Sequence, residues 1–490
     1  MNWICAAADP VFLYIHSIFS LLRCMFAVFL WYYLFKIKIQ LGGQGMTTWV
    51  KENHQQESIE ALKELIAIGS VNAGDGSSFP PFGEKIQECL EKALKISERL
   101  GMKTFIDPEG YYGYAEYGEG EEMLGILCHL DVVPGGNLAK WITPPFEPDV
   151  RDGVIYGRGT QDDKGPTIAA LYAFKAVLDE GVTFNKRIRF IFGTDEESLW
   201  RCMEHYTKKE EIPSLGFVPD GVFPLTYAEK GLWEINLIGP GSDSLNLALG
   251  EASNVVPGEA IYDGDKAAAL VDELKQLDVE FVEENGKVIV KGKSVHSSVS
   301  GEGINAINKL VQGLNKVESH PALRFIAEKI GNETNGYSLL GEIKDEVSGE
   351  MTLNTGKLVI DEYKSVITLD IRYPVTYDKE ELVTGITKAA EDYGLMYEEY
   401  DSIPSLYVKK DSELVKTLMS VYQEKTGDQT EPFVSGGATY ARQMPNMVAF
   451  GAHFPGSKSL AHQENEALPL DELYKAMEIY AEAIYQLAGK

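Results

Sequence analysis

Two apolar runs with a helix between them restrict this chain to few architectures. The run Gly125-Ile126-Leu127-Cys128 stops abruptly at His129-Leu130-Asp131. A second, Ile188-Arg189-Phe190-Ile191-Phe192, stops at Gly193-Thr194-Asp195-Glu196-Glu197. Between them Ile168, Leu171, Tyr172, Ala176 and Val177 recur at helical spacing over Thr167–Leu178. Strand, helix and strand in this order predict a right-handed crossover between parallel neighbours. Such sheets bind ligands beyond the C-terminal ends of their strands, and both runs end there in histidine or acid. His129 and Asp131 also share one side of an extended chain. An imidazole in that place can hold a metal ion, with a carboxylate behind it to orient the ring.

The rest of the chain implies one α/β unit interrupted by another. Helical spacing recurs from Ser58 to Ile68 and from Ile86 to Leu100. After Pro240 the style changes. Helices are expected at Ala267–Leu277, Ile304–Val317 and Asp378–Tyr393, a hairpin turns about Asn285-Gly286, and Lys357–Tyr373 holds two alternating strands. Helix, strand and helix then resume at Ser412–Lys425, Asn446–Gly451 and Leu470–Leu487. The expected architecture is α/β: a mostly parallel-sheet domain at 46–232 and 405–490, interrupted at 233–404 by an α+β domain. A length of 490 residues accommodates this.

Residues 1–45 stand apart. Val11 to Lys36 is apolar and long enough to cross a bilayer, with Lys36 and Lys38 placed for its cytoplasmic side. Gly42-Gly43-Gln44-Gly45, however, suits the codons of a purine-rich ribosome-binding site, and Met46 opens an ordinary polar helix start. The expectation is that translation begins at Met46 and that 1–45 is an over-extended gene model, a membrane anchor being the alternative. The formal net charge of -29 argues against nucleic acid and against anionic membrane surfaces. Cys89, Cys128 and Cys202 form no spaced framework, which fits a reducing, cytoplasmic setting.

Acids and histidines gather at loop positions of the α/β part: His129 with Asp131, Asp162 with Asp163, Asp195 with Glu196 and Glu197, then Asp220, and late in the chain His462. Two imidazoles and several hard oxygens suit one or two zinc or manganese ions. That many carboxylates in one crevice without cations would be strongly unfavourable.

These segments together resemble a family. Gly125 to Pro134, Gly157-Arg158-Gly159-Thr160-Gln161-Asp162-Asp163-Lys164-Gly165, Thr194 to Glu197 and Gly292-Lys293-Ser294-Val295-His296 look like the co-catalytic zinc metallopeptidases of the aminoacylase and carnosinase superfamily, above all dipeptidases of the PepV type. The resemblance implies a two-metal peptidase whose 233–404 insertion is a lid. His129 and Asp220 would hold one ion, Glu197 and His462 the other, and Asp162 would bridge them through a cis Asp162-Asp163 peptide. Asp131 would orient His129, and Glu196 would be the general base. His296 would stabilise the oxyanion, and because a long insertion supplies it within one chain, a monomer is expected. Asn254 and Arg372 would clamp a substrate carboxylate, helped by the amides of Gly436 and Gly437. The cofactors implied are two divalent ions, Zn2+ or alternatively Mn2+, and the substrates unblocked dipeptides, β-alanyl ones such as carnosine included. The rivals are an N-acyl-amino-acid or succinyl-diaminopimelate deacylase and a non-catalytic metal-binding protein.

Overall fold

The first run becomes the strand Met123–His129, buried along its whole length. The second becomes Arg187–Gly193, which lies beside it in parallel and pairs Gly193 with His129. The helix Lys164–Asp179 joins them. This is a computed structural model, and it describes residues 48–490; the expectations for residues 1–45 therefore lie outside the described residues. Among the described residues no helix is long and apolar enough to cross a membrane.

The main sheet is mixed, with a parallel centre. Arg187–Gly193, Met123–His129, Leu215–Val218 and Met447–Ala449 run side by side in parallel. Antiparallel strands flank them: Lys103–Ile106 and Gly113–Tyr117 on one side, Thr226–Glu229 and Leu406–Tyr407 on the other. The loops that carry the acids and histidines singled out above leave the C-terminal ends of the parallel strands, where sheets of this kind bind ligands. The crossover helix is buried on more than one stripe: Ala169, Ala170, Ala173 and Phe174 are fully buried alongside Ile168 and Leu171. Its alanines let Glu52–Ile66 and Leu470–Ala488 pack closely against it, and a helix covered on several sides reads apolar all round.

A second sheet is antiparallel throughout, in the order Leu247–Leu249, Thr352–Ile360, Lys364–Tyr373, Gly231–Pro240, Met396–Ile403. It has its own hydrophobic core, built on Trp233, Ile235, Leu310, Phe325, Ile367 and Leu369. Beside it Glu259–Tyr262, Lys287–Lys291 and Phe281–Glu284 form a smaller sheet. The hairpin there turns at Asn285 (φ 52°) and Gly286 (φ 81°). Both angles are positive, which is the reason an Asn-Gly pair suits this turn. The α/β class expected from the strand and helix pattern is the class found, with one difference: the sheet expected to be mostly parallel is parallel at its centre and antiparallel at both flanks.

Candidate metal centre

His129 ends its strand with its ring almost wholly buried. Its Nε2 lies 2.9 Å from Asp162 Oδ1 and 3.6 Å from Asp220 Oδ2. The other oxygen of Asp162, Oδ2, lies 3.0 Å from His462 Nε2, which is also 3.0 Å from Glu197 Oε1. Two groups of possible ligands result: His129, Glu196 and Asp220, and Asp162, Glu197 and His462. Within each group the ligand atoms lie within 4.8 Å of one another. The Asp162-Asp163 peptide is cis.

The three consecutive acids after Arg187–Gly193 separate. Asp195 is fully buried and turned to Arg201, with Nε to Oδ2 at 2.7 Å and Nη2 to Oδ1 at 2.8 Å; it also accepts from Asn72 Nδ2. Glu196 joins the His129 group and Glu197 the His462 group. Asp131 explains how neighbours stay apart. Its buried carboxylate accepts the Glu196 amide at 3.1 Å on one oxygen and the Glu197 amide at 3.0 Å on the other. Nδ1 of His129 faces the main-chain oxygen of Asp131 at 3.0 Å, with the nearer carboxylate oxygen at 3.6 Å. The bonds of this carboxylate are thus to the turn carrying Glu196 and Glu197, while the main chain meets the ring.

The electrostatics of the cluster call for cations. Burial, then the charges of Asp220, Glu197 and Asp162, push the Glu196 carboxyl well up. Burial and Asp162 raise Asp220, and burial and Asp162 raise Glu197. Bonds to Asp162 and Glu197 push His462 up to about 10. Burial opposes charge on His129, yet Asp131, Asp162 and Asp220 hold its pKa well above the usual imidazole range. Burial and mutual repulsion thus oppose simultaneous charge on Glu196, Asp220 and Glu197, while bonds to His129 and His462 outweigh burial and hold Asp162 well below the usual carboxylate range. Divalent ions would offset that repulsion, and the imidazoles of His129 and His462 with the carboxylates of Asp162, Glu197 and Asp220 are a donor set that zinc or manganese accepts. The residues fit the group the motifs imply.

His296, Arg372, Asn254 and Gly436 meet at a second place. Ser297 receives a bond from Arg372 Nη2 (3.3 Å) and donates its amide to Asn254 O (2.9 Å). His296 Nδ1 is 2.7 Å from Ser298 Oγ, and a Cβ on Gly436 would come 2.9 Å from Ser298 Cβ. Desolvation and the Arg372 charge lower the pKa of His296, which keeps it neutral at neutral pH. Arg372 forms a two-pronged pair with Asp370, both bonds at 2.8 Å, and the Gly437 amide is engaged by Ser435 Oγ. No hydrogen bond or ion pair among the described residues joins this place to the metal ligands.

Residues that the motifs did not single out support both places. Tyr440 is buried, its hydroxyl 3.0 Å from Cys202 Sγ and its ring edge-on to His129 at 6.2 Å between centroids. It fits because Gly193 lacks a Cβ, which would come 2.4 Å from the ring. Arg442 joins Glu229, the Pro404 carbonyl and the Gly437 carbonyl.

Residues 125–486 match the model of peptidase family M20/M25/M40. The chain belongs to that family. It is a hydrolase of the peptidase class, as its motifs imply. It is 38% identical over 461 residues to the Bacillus subtilis (strain 168) protein named "Putative dipeptidase YtjP", covering 89% of this chain and 98% of that one. A similarly named Staphylococcus aureus (strain USA300) protein is 36% identical over 468 residues, at the same coverage. Among solved structures, human carnosine dipeptidase 1 shares the fold at TM-score 0.53 and 16% identity, covering 89% of this chain and 97% of that chain. The aminoacylhistidine dipeptidase of Vibrio alginolyticus does so at TM-score 0.57 and 14% identity, covering 88% and 96%.

Proposed function

We propose that this M20/M25/M40 peptidase is a metal-dependent dipeptidase of the PepV type, acting on unblocked dipeptides with two divalent ions. One observation carries the reading: the Asp162 carboxylate offers one oxygen to each of two ligand groups, at 2.9 Å from His129 and 3.0 Å from His462. His129 and Asp220 would hold one ion, Glu197 and His462 the other, with Asp162 common to both. When bound, such ions supply Lewis-acid polarisation of the scissile carbonyl and acidify the attacking water. Glu196 is the general base: it takes the proton from that water and returns it to the departing amine.

His296 donates a hydrogen bond to the oxyanion, as a neutral imidazole can. Arg372, Asn254 and the Gly436–Gly437 loop take the substrate's C-terminal carboxylate, Arg372 through Nη1, which its two-pronged pair with Asp370 does not engage. Residues 233–404 form the lid that carries His296, and 46–232 with 405–490 form the catalytic domain; the two separate hydrophobic cores support this division. We infer that the enzyme works as a cytoplasmic monomer: the long 233–404 insertion that carries His296 supports a site completed within one chain, and the free, buried thiols of Cys89, Cys128 and Cys202 support a reducing compartment. The test is turnover of β-alanyl-histidine, a plain dipeptide and an N-acetyl amino acid, with added Zn2+ or Mn2+. Hydrolysis of the dipeptides and not the blocked substrate is expected, with a loss of turnover in Glu196→Ala that leaves metal binding in place. A fully active, metal-binding Glu196→Ala enzyme refutes the mechanism; activity on the acetylated substrate alone makes the chain a deacylase.

A further inference from the structure

The loop carrying Asp162 and the loop carrying His462 grip one another through two side chains that the reaction does not use. Gln161 directly precedes Asp162. Its side-chain oxygen accepts the amides of Leu460 (2.7 Å) and Ala461 (3.1 Å), and its nitrogen donates to the carbonyls of Lys458 (3.1 Å) and Ala467 (2.9 Å). All four partners flank His462. Glu466 reaches the other way. Its Oε1 accepts the amides of Gly159 (3.1 Å) and Gln161 (2.8 Å), its Oε2 pairs with Arg158, and its main-chain oxygen accepts the Gly157 amide. Glu466 and Arg158 are both buried.

His462 needs such support more than His129 does. The ring of His129 is enclosed at the end of a central strand, whereas the side chain of His462 is 54% exposed. Its backbone is left-handed, at φ 63°, a conformation a residue with a Cβ keeps only when its surroundings impose it. Among the described residues its ring bonds only to Asp162 and Glu197. Its placement 3.0 Å from Asp162 therefore depends on the loop beneath it, and that loop is held by the residue next to Asp162.

We propose that Gln161 and Glu466 form a reciprocal latch. They are positioning residues that set Asp162 and His462 at ligating separation before an ion arrives, and so determine the affinity of the Asp162/Glu197/His462 group. This rests on the metal reading above. The chemistry selects the residue: a carboxamide both accepts from two amides and donates to two carbonyls. A glutamate would keep the first pair of bonds and oppose the Lys458 and Ala467 carbonyls. A methionine of the same length would make none of them.

The test uses the full chain stripped of metal and titrated with Co2+, followed by calorimetry and by the visible absorption of the bound ion, with melting of the metal-free protein measured alongside. The parent should bind two equivalents. In Gln161→Met the equivalent held by Glu197 and His462 should bind about 10- to 100-fold more weakly, the usual effect of losing a group that orients a ligand, and the other should weaken much less, through the shared Asp162 alone. Gln161→Glu should fall between them, and the metal-free melting temperature should stay close to the parent's in both. Variants that bind both equivalents as tightly as the parent overturn the latch. So do variants that weaken both equally in step with a lower melting temperature, which marks general loss of stability. A parent that binds no divalent ion overturns the metal reading, and the latch with it.

Discussion

Asp131→Asn separates two tasks for a buried carboxylate that looks, from its spacing, like a support for His129. Its two oxygens accept the Glu196 and Glu197 amides at 3.1 and 3.0 Å. Asparagine keeps one acceptor and turns an NH2 group toward the other amide, donor against donor. One charge-assisted bond is lost, worth about 1.5–3 kcal/mol, and an amide N–H loses its partner at a cost of about 1–3 kcal/mol. Because these describe overlapping parts of one loss, the expected total is about 3 kcal/mol, or roughly a hundredfold in the population of the native turn. The His129 Nδ1 contact to the Asp131 main-chain oxygen is untouched by the substitution. Urea unfolding of the metal-free protein should show the loss of stability, and kcat on a dipeptide should fall about a hundredfold, as displacement of a catalytic group implies. A variant within twofold of the parent in kcat, with unchanged urea midpoint, refutes the carboxylate's role in holding the Glu196–Glu197 turn.

Arg442→Met or Glu229→Gln alone should cost about 3–5 kcal/mol, because each leaves its buried partner without its counter-charge, and a double-mutant cycle should show the two losses to be strongly non-additive. Gly193→Ala should destabilise by about 1–3 kcal/mol through overpacking, since its Cβ would meet the Tyr440 ring at 2.4 Å; adding Tyr440→Leu should restore much of that in a thermal melt. Asp345 is held below its ordinary value of 3.8 by bonds from Ser348 and Thr376 that outweigh burial. A lowered folded pKa means this stabilisation is full above about pH 4 and is lost as pH falls through the lower folded value, so Asp345→Asn should flatten the acid limb of stability measured by urea unfolding from about pH 5 to about pH 2.

The parallel centre of the main sheet was legible because buried strands and a crossover helix write themselves in apolar runs and helical spacing. The helix Arg201–Lys209 was not, since it turns only Cys202, Met203 and Tyr206 inward and the rest of it is polar. The edge strand Met396–Ile403, with its Glu398-Glu399-Tyr400-Asp401 stretch facing solvent, carries no alternation that marks it as a strand. Lys164–Asp179 reads from its spacing as a helix with one apolar face, and only packing on several sides explains its buried alanines. Local pattern reports burial, and elements with little of it stay silent.

The metal centre divides in the same way. His129, Asp162, Glu196, Glu197 and Asp220 stand at or just beyond strand ends or a helix start, where sequence pattern alone already puts them near one another. What the three acids 195–197 do is not written in their order. Asp195 is claimed by Arg201, and the other two are spread between the ligand groups by Asp131, whose carboxylate holds their amides from 65 and 66 positions away. Gln161 and Glu466 are separated by 305 residues and share no motif. A site of this kind is set by two kinds of residue. Ligands must have the right atoms, and their chemistry makes them recognisable in a sequence. The groups that aim them are chosen by which backbone amides and carbonyls come within reach, and that is written in the meeting of the loops rather than in any local spacing.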